Sequence, residues 1–172
     1  MFKDKDWKKR KEGATTVEEI LRGAKMRIMP DGVGEVMDAL KNGMKDPNKA
    51  VVKAFILLLG LMAEAMGEAI KIYGKKCLLH CIQNNLSDKN TLVRADTVST
   101  MDKWVDAIGT EKVINYLCMA LTVENPELRS EGFTWLANKE KFIPDCDHSV
   151  MVKPLVACLS DKTSKIRVAA EE

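Results

Sequence analysis

The chain has 172 residues, of which 46% are apolar and 30% charged, and its formal net charge is +2. This length is enough for one well-buried domain or one short repeat array, and the composition is that of a folded, soluble protein. A net charge so close to zero excludes a global electrostatic attraction to nucleic acid. Aromatic residues amount to only 5%, which favours packed helices over a β-sandwich or barrel.

The sequence contains no segment with the pattern of a signal peptide or a membrane span. Charged residues at positions 3–6 precede any apolar run, which argues against a signal peptide. The most apolar stretch, 54–70, includes Glu64 and Glu68 and falls short of the roughly 20 apolar residues that a span needs. We expect it to be a buried core helix. Five cysteines, an odd number without secretory context, indicate reduced thiols in the cytoplasm.

Five short polar turns recur along the chain, beginning with the turn that contains Asp6. With the acidic residue of each turn as the marker, the spacings are 40, 42, 36 and 37 residues. The turns lie at 5–8, 45–49, 87–90, 123–126 and 160–163. A period near 40, with an apolar helix-like run on each side of a turn, is the pattern of HEAT repeats.

The apolar runs predict the helices in chain order. In the first helix, Val17, Ile20 and Leu21 share one face. The runs before the later turns are 36–44, 77–86, 114–121 and 151–159, and the runs after them are 51–66, 93–108, 128–136 and 166–170. Links that contain Gly32, Gly67 or Gly109 separate the units, because glycine supplies the left-handed residue that ends many helices.

We therefore predict an all-α fold, a HEAT-repeat α-solenoid that forms a single domain over residues 1–172. The units are expected at 1–29 (a half unit), 30–67, 68–109, 110–143 and 144–172 (a partial unit), so that the array is truncated at both ends. One helical hairpin cannot bury its apolar face alone, so these units must stack on one another.

Each turn contains residues suited to starting the next helix. Asp, Asn and Ser side chains accept hydrogen bonds from the free N–H groups of a first helical turn, and Pro47 and Pro126 suit positions near a helix start. A basic residue follows a few positions into each second helix, where it is available to bond the preceding carbonyls or a partner. These residues are Arg10, Lys53, Arg94, Arg129 and Arg167.

The basic charge is concentrated near the turns, which in a solenoid of helix pairs line one edge. The windows 3–11, 45–53, 87–94, 124–129 and 160–167 have a combined net charge of +8, which leaves −6 for the rest of the chain. Such an edge favours an acidic protein surface as the partner, with salt-dependent binding. The alternative interpretation is that the turns are merely polar and exposed.

Trp7 lies in the most basic segment of the chain, in a turn where a core role is least expected. An exposed tryptophan among cations has the composition of an interface anchor. The alternative is that Trp7 covers the open end of the array.

The segment from Asp6 to Gly13, with the sequence DWKKRKEG, resembles the first-turn motif of TOG domains, the tubulin-binding arrays of microtubule polymerases. The later turns are also similar to TOG turns, and the segment 65–67 is similar to internal TOG domains of those polymerases, with the fourth as the suggested match. The resemblance implies a paddle of HEAT units whose intra-unit turns bind one αβ-tubulin dimer. It also implies a monomeric, non-catalytic module without a cofactor, located at microtubules, the spindle or a microtubule-organising centre.

The resemblance further implies which residues contact tubulin. The first three turns face β-tubulin and the last two face α-tubulin. The implied contacts are Trp7, Lys8, Arg10, Asn48, Lys49, Lys89, Asn90 and Arg94 in the first group and Asn125, Arg129, Lys162, Lys165 and Arg167 in the second. The fourth turn departs from the family, because Glu124 and Glu127 make it acidic where the family favours basic residues.

Three other functions remain as alternatives. A HEAT-type adaptor would bind a different protein, usually through its helical faces, and a diverged TOG domain would have a structural role. A basic arm over residues 3–11 would bind RNA or lipid.

Two further clusters are weaker candidates for chemistry. Cys77, His80 and Cys81 include two metal-ligand types at helical spacing, but buried thiols are the more common role of such cysteines. His148 lies among Asp145, Cys146 and Asp147, and helix capping by one of these aspartates is the more plausible role. We read Trp104 and Trp135 as core residues and predict no enzyme.

Overall fold

The computed structural model describes residues 1–139 and 149–171, apart from the side chains of residues 150, 165 and 169. The described residues form helices and connecting turns, without a β-strand, which confirms the predicted all-α class. The helices are α1 (Trp7–Gly23), α2 (Gly34–Gly43), α3 (Lys49–Met66), α4 (Leu79–Asn85), α5 (Thr91–Ile108), α6 (Thr110–Leu121), α7 (Pro126–Ala137), α8 (Ser149–Leu159) and α9 (Ser164–Glu171).

The helices pair into hairpins that stack in chain order. α2 packs on α3, α6 on α7 and α8 on α9, and the polar turns join the two helices of each pair. The second helices form one layer, in which α1 packs against α3, α3 against α5 and α7 against α9. The first helices form the other layer, in which α4 packs against α6 and α6 against α8. This arrangement is that of a HEAT-type solenoid, in which each hairpin buries its apolar face against its neighbours.

The third hairpin begins earlier and less regularly than the sequence predicted. A 3₁₀ segment (Gly67–Tyr73) and one π turn (Gly74–Leu78) lead into α4. At Gly74 the backbone lies so close to α6 that a Cβ atom there would sit 2.3 Å from the hydroxyl of Tyr116. The pattern of apolar residues did not reveal this contact, because it depends on a residue 42 positions further along the chain.

The core runs continuously between the two layers. Phe55, Met37, Trp104 and Leu117 are fully buried, and Trp135 is only 3% exposed, as expected for the two core tryptophans. The stretch from Lys49 to Asn85 is long and apolar enough to cross a membrane, but 67% of its most apolar window is buried inside the domain. It is therefore placed as a core helix of a globular fold.

Glycines end the second helices on the edge opposite the polar turns. Gly67 follows α3 with φ 54° and Gly109 follows α5 with φ 91°, both in the left-handed region that other residues rarely adopt. Their N–H groups bond back to Ala63 and Val105. The helix ends predicted at Gly67 and Gly109 are confirmed, whereas the link with Gly32 does not end a helix, because α1 already ends at Gly23. The polar turns lie on the other edge.

Side chains on that other edge join each turn to the next one. Arg10, in α1, donates two hydrogen bonds to the carboxylate of Asp46 in the second turn, at 2.6 and 3.0 Å. We call this and the three equivalent links the cross-turn ladder. The others are Lys49 to Asp88, Asn125 to Ser87 (3.0 Å) and Arg129 to Asp161 (3.0 Å). The ladder connects all five turns in chain order.

The ladder aspartates are held in their ionised form. Burial by itself raises the pKa values of Asp46 and Asp88, but the hydrogen bonds from Arg10 and Lys49 and from backbone N–H groups outweigh it and lower both. The pKa of Asp161 is lowered first by a hydrogen bond from the backbone of Thr163 and then by Arg129. The three rungs that end on an aspartate are therefore charge-assisted contacts at neutral pH, whereas the rung from Asn125 to Ser87 joins two neutral side chains.

We expect Gly43→Ala to destabilise the domain. A Cβ atom at this position would lie 2.1 Å from the ring of Phe55, which is fully buried and also packs edge-on against Phe2. The side chains must shift to relieve this overlap, which should lower the free energy of unfolding by about 1–3 kcal/mol. Urea denaturation measures this change. Gly23→Ala is the matched control, because no atom lies within 4 Å of its added methyl group. It should stabilise the protein by about 0.5 kcal/mol, and equal effects at both sites would contradict the packing argument.

We also expect the ladder to be lost at acid pH. Its carboxyl groups have pKa values below the ordinary 3.8, so their stabilisation is complete above that pH and disappears as the pH falls through the lowered values. Asp46→Asn should lower the thermal midpoint by roughly 2–4 °C at pH 7 and make its decline below about pH 4 less steep.

The control for this measurement is Glu124→Gln, which removes one negative charge from an exposed carboxylate that has no ion pair among the described residues. The thermal midpoint of Glu124→Gln should depend on pH in the same way as that of the wild type. A decline of the Asp46→Asn midpoint as steep as that of the wild type would show that the ladder does not contribute to acid sensitivity.

Candidate protein-binding ridge

Four of the five polar turns share one local geometry. In each of these four, an aspartate accepts the N–H of the residue two positions later, at 2.8–2.9 Å, which is an Asx turn. These aspartates are Asp4, Asp46, Asp88 and Asp161. The equivalent of Asp46 in the first turn is therefore Asp4, and Asp6, which served as the marker in the sequence, corresponds to Asn48 and Asn90. We call the turns with the first residues of the helices after them (4–8, 44–50, 86–92, 122–127 and 160–165) the turn ridge.

In the first four turns a second polar residue caps the next helix. Side-chain oxygens of Asp6, Asn48, Asn90 and Asn125 accept backbone N–H groups in the first turns of α1, α3, α5 and α7, at 2.9, 2.9, 2.9 and 3.1 Å. Pro126 occupies the first position of α7, where its missing N–H is not needed. The predicted capping is confirmed, and it occupies the side-chain oxygens of the three asparagines that were named as tubulin contacts.

The arginines of the second helices bond to the turns that precede them. Arg10, Arg94 and Arg167 donate to the main-chain carbonyls of Asp4, Asp88 and Asp161, at 2.8, 2.7 and 2.7 Å. Bonding to preceding carbonyls, which the sequence allowed for five basic residues, is therefore seen for these three, while Lys53 lies 3.8 Å from the carboxylate of Asp96 in α5. Arg129 differs, because its guanidinium reaches forward to the Asp161 carboxylate. All four arginines are partly buried, which makes them supports of the turns.

The lysines of the ridge are exposed instead. The lysines without an ion pair within the part of the chain that the structure describes are Lys5, Lys8, Lys45, Lys89 and Lys162, and all five are exposed. Lys49 is also exposed but is paired with Asp88. Lys165 lies in the first turn of α9, and its side chain is outside the described residues. Free positive charge is therefore present at five of the described positions along the ridge.

Trp7 is the first residue of α1 and is 38% exposed. It precedes Lys8 in the first turn of the ridge, while the two other tryptophans are buried. A partly exposed tryptophan fixed at a helix start provides a large rigid contact surface, as an interface anchor does.

The fourth turn breaks the pattern of the other four. Val123 occupies the position at which the other four turns have the aspartate of the Asx turn, and its side chain is 43% exposed. Asn125 replaces the missing rung by donating to Ser87 of the third turn. Glu124 is exposed beside it, so the negative charge noted in the sequence lies at the surface of this turn.

The cysteine and histidine cluster lies inside the fold. Burial raises the pKa of the Cys77 thiol to about 11 and that of Cys81 to about 12, which makes both thiols unreactive. Burial, followed by the charges of Lys45 and Lys41, lowers the pKa of His80 to about 4. Among residues 1–139 and 149–171 no three acidic, cysteine or histidine side chains are grouped so that they could hold a metal ion. The second cluster, Asp145, Cys146, Asp147 and His148, lies outside the described residues.

Comparisons with known proteins agree with this architecture. Residues 2–172 match the model of the family described as CLASP N terminal. Protein MOR1 of Arabidopsis thaliana is 32% identical over 173 residues, an alignment that covers 99% of the chain but 9% of MOR1. The chain thus spans about a tenth of this much longer relative.

Solved structures show the same fold at low sequence identity. The MAST/Orbit N-terminal domain superposes with a TM-score of 0.82 at 18% identity, covering 98% of this chain and 76% of that one. A second structure comes from a study of how Crescerin uses a TOG domain array to regulate microtubules in the primary cilium. It superposes with a TM-score of 0.79 at 18% identity, covering 94% of this chain and 68% of that one. With its turns on one edge and its helices in two layers, the chain belongs to the CLASP N-terminal family and has the fold of a TOG domain.

Proposed function

We propose that this chain is a tubulin-binding module of a microtubule-associated protein and that it binds αβ-tubulin through the turn ridge. The observation that best supports this proposal is the ridge itself, on which Trp7 and five lysines that have no ion pair among the described residues are exposed along a single edge. Tubulin is the expected partner because Crescerin, which has the same fold, uses its TOG array to regulate microtubules.

The residues of the ridge divide into supports and contacts. The supports donate or accept hydrogen bonds within the chain. They are the guanidinium groups of Arg10, Arg94, Arg129 and Arg167 and the side-chain oxygens of the capping asparagines. Trp7, Lys8, Lys89 and Lys162 remain available to a partner, and Lys45 joins them. Since the supports fix the backbone of every turn, binding needs little further ordering of the protein, and less affinity is lost to conformational entropy.

The module as proposed has a binding role and no catalytic role. The whole chain is expected to act as one monomeric domain within a longer protein that contains several such domains. Linked modules raise the effective concentration of tubulin near a growing microtubule end. The proposed location is at microtubules, including the spindle or a microtubule-organising centre.

Trp7→Ala should weaken binding to unpolymerised αβ-tubulin by about tenfold or more, because it removes the largest exposed anchor of the ridge. Fluorescence anisotropy with labelled tubulin at low salt measures this change. The control is Met29→Ala, which truncates a 74% exposed side chain on the opposite edge and should bind as the wild type does. Equal binding by both variants would exclude Trp7 as an anchor.

Charge reversal distinguishes a local basic ridge from net charge alone. The pair Lys8→Glu and Lys89→Glu lies on the ridge, and the pair Lys25→Glu and Arg27→Glu lies on exposed positions of the opposite edge. Both pairs change the net charge equally. The ridge pair should slow association by about tenfold at low salt, with a smaller effect at high salt, and the opposite-edge pair should have little effect.

The same measurement tests the alternatives. An adaptor that uses the helical faces would retain its partner when the ridge pair is changed. A diverged TOG domain with a structural role would fail to bind tubulin in its wild-type form. Equal loss from both charge pairs would indicate attraction to a polyanion, which is the behaviour of a basic arm.

A further inference from the structure

We propose that Leu92 and Val123 form an apolar centre in the turn ridge and that this centre enters an apolar recess with an acidic rim on tubulin. This inference rests on the proposed function and adds to it the kind of contact made by the third and fourth turns. Neither residue was among the predicted contacts.

Leu92 occupies a contact position of the ridge. It is the second residue of α5, and the second residues of α1 and α9 are Lys8 and Lys165, both predicted tubulin contacts. Its side chain is 58% exposed although leucine is among the residues most often buried. The backbone N–H of Leu92 donates to the Asn90 side chain at 2.9 Å, and this hydrogen bond fixes the position of the Leu92 backbone in the turn ridge.

Val123 lies on the adjacent turn. It replaces the aspartate that the other four turns use in their Asx geometry, and it is 43% exposed. The fourth turn is bound to the third by the 3.0 Å hydrogen bond from Asn125 to Ser87. Where the repeated pattern places a carboxylate, this chain therefore places an apolar side chain beside the turn of Leu92.

The central position of Leu92 and Val123 in the ridge predicts a large contribution to binding affinity. The third turn is the central turn of five, and interface residues with large energetic effects cluster near the centre of a contact, surrounded by polar groups that exclude water. Lys89 is exposed in the same turn and has no ion pair in the described residues. With Lys89 on the Leu92 side and the exposed Glu124 on the Val123 side, this apolar pair is complementary to an apolar recess whose rim is acidic where it faces Lys89. The charges at the ends of the ridge would then mainly raise the rate of association, and the apolar centre would mainly lower the rate of dissociation.

The experiment measures tubulin affinity at low and at high salt for Leu92→Ala, for the double variant Leu92→Ala with Val123→Ala, and for Lys89→Ala. Leu92→Ala should weaken binding about tenfold at both salt concentrations, and the double variant should weaken it further. Lys89→Ala should lose about fivefold at low salt and little at high salt, because screening reduces only the electrostatic contribution. Leu92→Met, which restores an apolar side chain of similar volume, should return the affinity to within about twofold of the wild type.

The matched control is Ile72→Ala. Ile72 is 67% exposed in the 3₁₀ segment that follows α3, on the edge away from the turns. It should bind as the wild type does, and circular dichroism should show the same helix content for every variant.

The outcomes separate this inference from the proposed function. Wild-type affinity for Leu92→Ala, together with weakened binding for Trp7→Ala, would overturn the apolar centre and leave the tubulin ridge standing. Loss in Leu92→Ala that disappears at high salt would also overturn it. Absence of tubulin binding by the wild type would remove the proposed function and this inference together.

Discussion

The hydrogen-bonded ladder between successive turns is the interaction on which the working surface of this domain depends. Stacked hairpins bury their apolar faces whatever the exact position of their turns, because hydrophobic burial is not directional. The bidentate pair of Arg10 with Asp46 and the links that follow it are directional, and they fix each turn relative to the next. Burial by itself would give a solenoid, while the ladder and the burial together give an edge on which each turn is bonded to the next.

The ladder also determines which charges reach the surface. A guanidinium group offers five donors in a planar fork, so it can bond a carboxylate of the next turn and carbonyls of its own turn at the same time, as Arg10 does. A lysine ammonium is a compact charge on a flexible stem and is more easily left in water. The arginines of the second helices have accordingly become internal supports, and most of the free positive charge on the ridge belongs to lysines.

The fourth turn shows how a repeat protein changes one unit without losing the array. Replacement of the ladder aspartate by Val123 removes a rung, but Asn125 supplies another link to the third turn, and Arg94 pairs with Glu131 in α7. Because each unit contacts chiefly its neighbours, such a change remains local. The surface of that turn is free to become acidic and apolar while the turns on either side remain basic.

The sequence alone determined the architecture, because it depends on patterns that repeat along the chain. The period near 40, the asparagine caps and the glycines at 67 and 109 act through local backbone chemistry, so they can be read in order, residue by residue. Sequence reasoning also placed Trp7 and the basic charge on one edge. It did not distinguish Arg10, a support, from Lys8, a free cation, since both are basic residues in the same turn.

Only the tertiary structure decided that distinction, because the partner of Arg10 is Asp46, 36 residues away, and reaches it through the stacking of two hairpins. The same reason explains why the sequence placed the marker of the first turn at Asp6 when its structural equivalent is Asp4, and why Leu92 was not among the predicted contacts. Exposure of a side chain depends on which neighbours the fold brings to it. No local pattern contains that information, so the contact surface of the ridge became visible only once the hairpins were packed.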